Sequence, residues 1–147
     1  MFGSLDISTS GLVAQRTRMT AIADNIANQS TLLASDGSYA PFQARAVLFA
    51  AGDALTGASE GVTATVTRQN AFRWADPSDP AENIPEHVAE AARKAGMMNS
   101  EGLIQVPEIN EVAQFVDSME ALRSYEANIS VADATKRMID GALQLLA

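Results

Sequence analysis

Cysteine is absent from this 147-residue chain, and histidine occurs only once, as His87. Disulfide bonds and thiolate metal sites are therefore excluded, and a lone imidazole is more typical of a surface residue than of a metal ligand. The sequence also lacks a spaced Ser/His/Asp set and a glycine-rich phosphate loop. These absences argue against an enzyme, and we expect no metal and no cofactor.

Basic residues are scarce, since the chain carries 10 of them against 18 acidic residues, for a net charge of −8. The acidic excess amounts to −3 over residues 31–100 and −5 over residues 101–147. No basic patch is available to follow a phosphate backbone, which disfavours nucleic-acid binding. We interpret the acidic excess as a solvated surface.

Long hydrophobic runs are missing too. The longest, Ala46 to Ala51, has the length of a strand, whereas a membrane-spanning helix needs about 18 or more apolar residues. The first residues, Met1 to Ile7, lack the basic segment and the apolar run of a cleaved signal peptide. We therefore expect no transmembrane segment and no cleaved signal peptide.

The sequence does contain a helical apolar stripe at each end. In the N-terminal stripe, four residues recur every seven positions: Leu5, Leu12, Met19 and Ile26. In the C-terminal stripe, apolar residues recur in steps of three and four from Ile109 to Leu146, with one break, a double step, at Lys136. Such spacing is typical of a coiled-coil seam. It predicts a mainly α fold in which long N- and C-terminal helices pair as an elongated, coiled-coil-like hairpin.

These stripes supply the candidate assembly residues, whose burial we expect in a helix pair or between subunits. They are Leu12, Met19, Ile22, Ile26, Val112, Val116, Met119, Leu122, Tyr125, Ile129, Met138, Ile139, Leu143 and Leu146. A second line on the last helix makes its apolar face too wide for one partner helix; it consists of Val131, Ala134, Met138, Ala142 and Leu145. We therefore expect neighbouring subunits to cover the remainder.

The middle of the chain has a different character. We divide the chain into a terminal helical core, residues 1–30 and 101–147, and a loop- and β-rich middle region, residues 31–100. Residues 42–49 and 62–72 are rich in β-branched and aromatic residues and predict a hairpin.

Further signals lie within this middle region. Phe72 and Trp74 are expected to anchor the small sheet, and Asp76 to Pro80 predicts a double turn because each Asp precedes a Pro. Glu86 to Ala95 predicts a short helix, with acidic residues early, basic residues late and Gly96 as its stop.

Four short segments of the two ends resemble a known family. They are Ser10 to Met19, Asp24 to Thr31, Val106 to Asn110 and Met119 to Asn128, the last reading Met-Glu-Ala-Leu-Arg-Ser-Tyr-Glu-Ala-Asn. In this order at opposite ends of a short chain, they resemble the axial proteins of the bacterial flagellum, which form its rod, hook and hook-associated parts. The length of the chain is most similar to that of the rod proteins.

This resemblance implies a structural subunit of the proximal rod of the flagellar basal body, which polymerises through its terminal helices into the drive-shaft tube. The implied partners are copies of the chain, other flagellar rod proteins, the rod-to-ring adaptor and the flagellar type III export apparatus. The implied location is the periplasmic rod, reached without cleavage of a signal peptide.

The resemblance also gives a role to five polar residues of the matching segments: Gln15, Asn25, Asn28, Arg123 and Asn128. They are expected to fix the register of the helices by amide and guanidinium hydrogen bonds. The alternative is a helix cap for Asn28 and ordinary surface polarity for the others.

One segment, residues 83–100, departs from the family pattern, and we expect it to form an outward-facing appendage with a short helix. Three other readings of the chain stay open. It could be a different rod protein of the same family, or an unrelated coiled-coil adaptor that forms a discrete dimer. It could also be an enzyme that uses the carboxylates between Asp76 and Glu82, although no nucleophile or cofactor loop accompanies them.

Overall fold

The fold is given by a computed structural model, which describes residues 2–52 and 60–146, with side chains for residues 3–52 and 60–145. Two long helices occupy the ends, as predicted: α1 is Phe2–Ala27 and α3 is Glu111–Leu146. Between them lie a short helix and four strands: β1 Ala44–Ala51, β2 Val62–Gln69, β3 Phe72–Ala75, α2 Glu86–Lys94 and β4 Ile104–Pro107. The fold is mainly α, with two small β-sheets.

The chain divides into two compact units that alternate along the sequence. The helical unit consists of the described parts of Met1–Ala23, Ala46–Thr67 and Val112–Ala147, and the middle unit consists of Asp24–Arg45 and Arg68–Glu111. Residues 46–67, most of the first hairpin, therefore belong to the same unit as the terminal helices.

In the helical unit, α1 and α3 lie side by side and run in opposite directions. The Ser4 and Thr135 hydroxyl oxygens lie 3.3 Å apart, and the Arg18 guanidinium lies 3.4 Å from the Glu120 carboxylate. The predicted hairpin is confirmed, because β1 pairs with β2 in a two-stranded sheet. The Val62 N–H donates a 3.0 Å hydrogen bond to Ser10 Oγ, which ties β2 to α1.

In the middle unit, α2 is part of the core. Its first and last turns place Val88 and Ala92 on one face, and both are buried in a cluster with five residues of other segments: Leu32, Tyr39, Ala75, Ile104 and Val106. The prediction that residues 83–100 form an appendage is therefore wrong. The apolar face of α2 is narrow, but its two buried residues pack against β4 and the loop after α1.

The β3–β4 sheet of the middle unit has two different faces. The strands are antiparallel, with Arg73 opposite Val106 and Trp74 opposite Gln105. Successive side chains of a strand point to opposite faces, so Ala75 joins the core and Trp74 does not. Trp74 is 49% exposed, and the prediction that it anchors the sheet is wrong.

The segment after β3 forms the predicted double turn. The Asp79 N–H donates to the Asp76 carbonyl and the Glu82 N–H to the Asp79 carbonyl, each at 3.1 Å. The side chains of both aspartates also accept hydrogen bonds from backbone N–H groups two residues later. Turn chemistry therefore accounts for these carboxylates, and within the described residues no group of three acidic or histidine side chains could hold a metal ion.

Candidate assembly surface

The closest described contacts between α1 and α3 involve small and polar residues. A Cβ atom on Gly11 would lie 2.9 Å from Asn128 Nδ2, so the two helices approach closely at that level. Ala121 and Thr135, seven residues to either side of Asn128, are buried. On α1, Ser8 is buried one turn before Gly11.

This seam differs from the predicted one, in which the two apolar stripes face each other. Ser4, Gly11 and Arg18 recur every seven residues on α1, as do Ala121, Asn128 and Thr135 on α3. The distance between two helices is set by the side chains at their contact, and small residues permit a closer approach than leucine or methionine. The seven-residue repeat of small and polar residues was visible in the sequence, but the apolar residues concealed it.

Most of the predicted apolar residues of α3 are exposed. We call them, together with Phe115, the α3 apolar surface: Val112, Phe115, Val116, Met119, Leu122, Ile129, Met138 and Leu143. Their exposed fractions run from 39% at Ile129 to 73% at Val112. Each residue turns about 100° around a helix, which places Val112, Val116 and Met119 on the side of α3 opposite the buried Ala121.

The other predicted positions are more covered. Ile22 is buried on α1, whereas Leu12, Met19 and Ile26 are half-buried. On α3, Tyr125 and Ile139 are half-buried. The side chain of Leu146 lies outside the described residues.

Two of the predicted polar residues hold the end of α1. Asn25 is buried, its Nδ2 donates to the Arg45 carbonyl at 2.8 Å, and its Oδ1 accepts the Arg45 N–H at 2.7 Å. Asn25 therefore fixes the start of β1 to the helix. The Asn28 side chain donates to the Asp24 carbonyl at 2.9 Å and closes the last turn, as a helix cap does.

The remaining three polar residues lie in the helical unit. Asn128 packs against Gly11 in the seam. Gln15 also lies on the seam side of α1, and its buried Oε1 has no hydrogen-bond partner among the described residues. Arg123 is exposed, and no ion pair of Arg123 occurs within residues 2–52 and 60–146.

The α3 apolar surface consists of eight exposed apolar side chains on one helix. No helix in the described part of the chain is both long and apolar enough to cross a membrane. Exposed apolar residues in this number are typical of contact surfaces between proteins. The geometry therefore favours assembly over catalysis.

Comparison with known proteins identifies the family. Residues 5–31 match the family described as flagella basal body rod protein. The "Flagellar basal-body rod protein FlgC" of Borreliella burgdorferi is 30% identical over 99% of this chain and 97% of its own length. The chain belongs to the FlgC family of flagellar basal-body rod proteins.

Two further relatives carry the same name. The protein of Bacillus subtilis is 30% identical over 98% of this chain and 97% of its own. That of Aquifex aeolicus is 33% identical over 95% of this chain and 92% of its own. The resemblance stated from the terminal segments is confirmed, and this rod protein is a structural component of the basal body rather than an enzyme.

Proposed function

We propose that this rod protein polymerises through its terminal helices, with the α3 apolar surface buried against helices of neighbouring copies. The single observation that carries the proposal is the exposure of that surface beside a helix pair whose own seam is small and polar. The α1–α3 pair, coiled-coil-like in its seven-residue repeats, acts as one building block of the tube. The apolar surface then joins blocks to one another.

The free energy of apolar burial supports a role of the α3 apolar surface in contacts between subunits. Burying one large apolar side chain contributes about 1.5–3 kcal/mol, whereas association costs roughly 4–15 kcal/mol in lost freedom of motion. One or two contacts would not hold a subunit in place. Burial of several residues of the α3 apolar surface together can exceed this cost, so the surface stabilises a polymer.

Membership of the rod family supports the following partners and location, which are part of the proposal. The partners are copies of the chain, other flagellar rod proteins, the rod-to-ring adaptor and the type III export apparatus, and assembly takes place in the periplasm after export without cleavage of a signal peptide. In the polymer, Gln15, Arg123 and Asn128 fix the register of the helices. Arg123 suits a contact between copies because it is exposed and its guanidinium can form a bidentate pair with a carboxylate.

Replacement of Leu122 by aspartate tests the proposal. Leu122 is 47% exposed, so a charge there leaves the folded subunit intact but would lie unpaired in the assembled interface. We expect Leu122→Asp to give exported protein that is absent from isolated basal bodies, and a loss of swimming. The matched control, Leu122→Met, keeps the apolar contact and should assemble. Normal assembly of Leu122→Asp would contradict the proposal.

A further inference from the structure

The middle unit carries an open groove on the outer face of its β3–β4 sheet. Its volume is about 540 Å³, within the usual range of ligand sites. Four apolar side chains form its floor: Pro41, Phe42, Phe72 and Met97. Two arginines, Arg45 and Arg68, lie at its rim. The structure therefore combines an aromatic and proline surface with positive charge.

The two arginines differ in how far they are engaged. Arg45 pairs with Asp24 and lies over the Phe42 ring, with its guanidinium carbon 5.9 Å from the ring centre. Arg68 is exposed and forms no ion pair with any described residue. An incoming carboxylate would therefore find an available guanidinium at Arg68.

The double turn of the same unit has the complementary chemistry. Between residues 76 and 82 it carries two prolines and three carboxylates, and Ser78 and Pro80 are exposed. Each aspartate uses one side-chain oxygen for a backbone N–H, at 2.8 Å for Asp76 and 2.9 Å for Asp79. The turn is therefore ordered before it binds, which lowers the entropic cost of docking.

The turn cannot reach the groove of its own copy. The Arg73 guanidinium holds the Glu82 carboxylate with two hydrogen bonds of 2.6 Å each. Arg73 and Phe72 are successive strand residues, so their side chains point to opposite faces of the sheet. The turn is thus fixed to the core face, whereas the groove lies on the outer face.

We propose that the groove receives the Asp76–Glu82 turn of a second copy of this chain. The prolines pack against the aromatic floor, and the aspartates meet Arg68 and Arg45 at the rim. The inference rests on the proposed polymer and adds a specific contact to it. Because groove and turn are different surfaces, each copy binds the next head to tail, and such contacts generate open helical assemblies when the rotation does not close a ring.

Cysteine cross-linking tests this contact directly, because the chain has no cysteine of its own. Ala40 lines the groove and is exposed, as is Ser78 in the turn. Cells producing the Ala40→Cys/Ser78→Cys double variant are treated with a short bismaleimide, and their basal bodies are isolated. We expect a ladder of covalent multimers of the chain. The control, Ala40→Cys/Ser100→Cys, moves the second thiol to an exposed position outside the turn and should give no ladder.

The outcomes are distinct. Three results would overturn the inference if the double variant is present in the basal bodies: only intramolecular links, only links to another protein, or a ladder equal to that of the control. None of these results would contradict the proposed polymer. Absence of even the unsubstituted chain from basal bodies would overturn both. Charge reversal supplies a second measurement: Arg68→Asp should lower the ladder about tenfold through like-charge repulsion, and added Asp79→Arg should restore it. Failure of that rescue would contradict the pairing of these residues.

Discussion

Asn128 lies across the helix seam from Gly11, so close that a Cβ atom on Gly11 would be 2.9 Å from its Nδ2, 3.2 Å from its Cγ and 3.3 Å from its Oδ1. The whole carboxamide therefore occupies the space that any larger residue would need. This relationship makes Gly11 necessary for close packing and explains a glycine within a long helix.

Alanine at Gly11 should displace the Asn128 carboxamide from the seam. Overpacking of this kind costs about 1–3 kcal/mol, against a gain in helix propensity of about 1 kcal/mol. Gly141 is the matched control, because a Cβ there meets nothing within 4 Å. We expect Gly11→Ala to be less stable than Gly141→Ala by about 1–3 kcal/mol in denaturant unfolding. Added Asn128→Ala should recover part of the loss, and equal stability of the two alanine variants would show that the seam is loose.

Removal of the Asn25 side chain should release the start of β1. Asn25→Ala removes two part-buried hydrogen bonds to the N–H and carbonyl of Arg45, and each typically contributes about 0.5–1.5 kcal/mol. We expect a lower unfolding midpoint and faster hydrogen exchange of the Arg45 amide. Asn70→Ala, which loses only an exposed contact to Gln43, should change stability by less than about 0.5 kcal/mol. Unchanged exchange at Arg45 would argue against this role.

The Arg73–Glu82 pair should give the double turn a dependence on pH. The hydrogen bonds that the Arg73 guanidinium donates to the Glu82 carboxylate hold the pKa of Glu82 below its ordinary value. A carboxyl whose folded pKa is lowered stabilises the protein above its unfolded pKa and loses that contribution as pH falls through the folded value.

Stability of the wild type and of Glu82→Gln should therefore differ at neutral pH and converge below the ordinary glutamate pKa of about 4.3. The pair is largely solvent-screened, so the difference should stay under about 1 kcal/mol. The control is Glu90→Gln, unfolded over the same pH range. This variant breaks only the long 4.0 Å surface pair between Glu90 and Lys94. A difference that persists unchanged into acid would assign the effect to something other than this carboxylate.

The terminal helices, the hairpin, the short helix and the double turn could be predicted because their signals are local. Periodicity, strand-forming residues and the two Asp-Pro pairs each act within a few positions of the chain. The position of α2 could not be predicted, because the residues that bury Val88 and Ala92 come from other segments, such as Ile104 and Val106.

The helix seam was mispredicted for a different reason. Ranking residues by hydrophobicity selected leucine and methionine, whereas the contact depends on the small size of Gly11 and Ala121. The α3 apolar surface is exposed in the single subunit, and its burial against neighbouring subunits stays a prediction. The buried role of Asn25 had no signal in the sequence beyond the family segment that contains it.

An electron-microscopy map of the isolated basal body, at a resolution that shows side chains, tests the polymerisation most directly. We expect the rod density to show residues Val112, Val116 and Met119 of each copy packed against helices of neighbouring rod subunits, with Gly11 and Asn128 in contact inside the same copy. A rod in which those three side chains face solvent would contradict the proposed assembly.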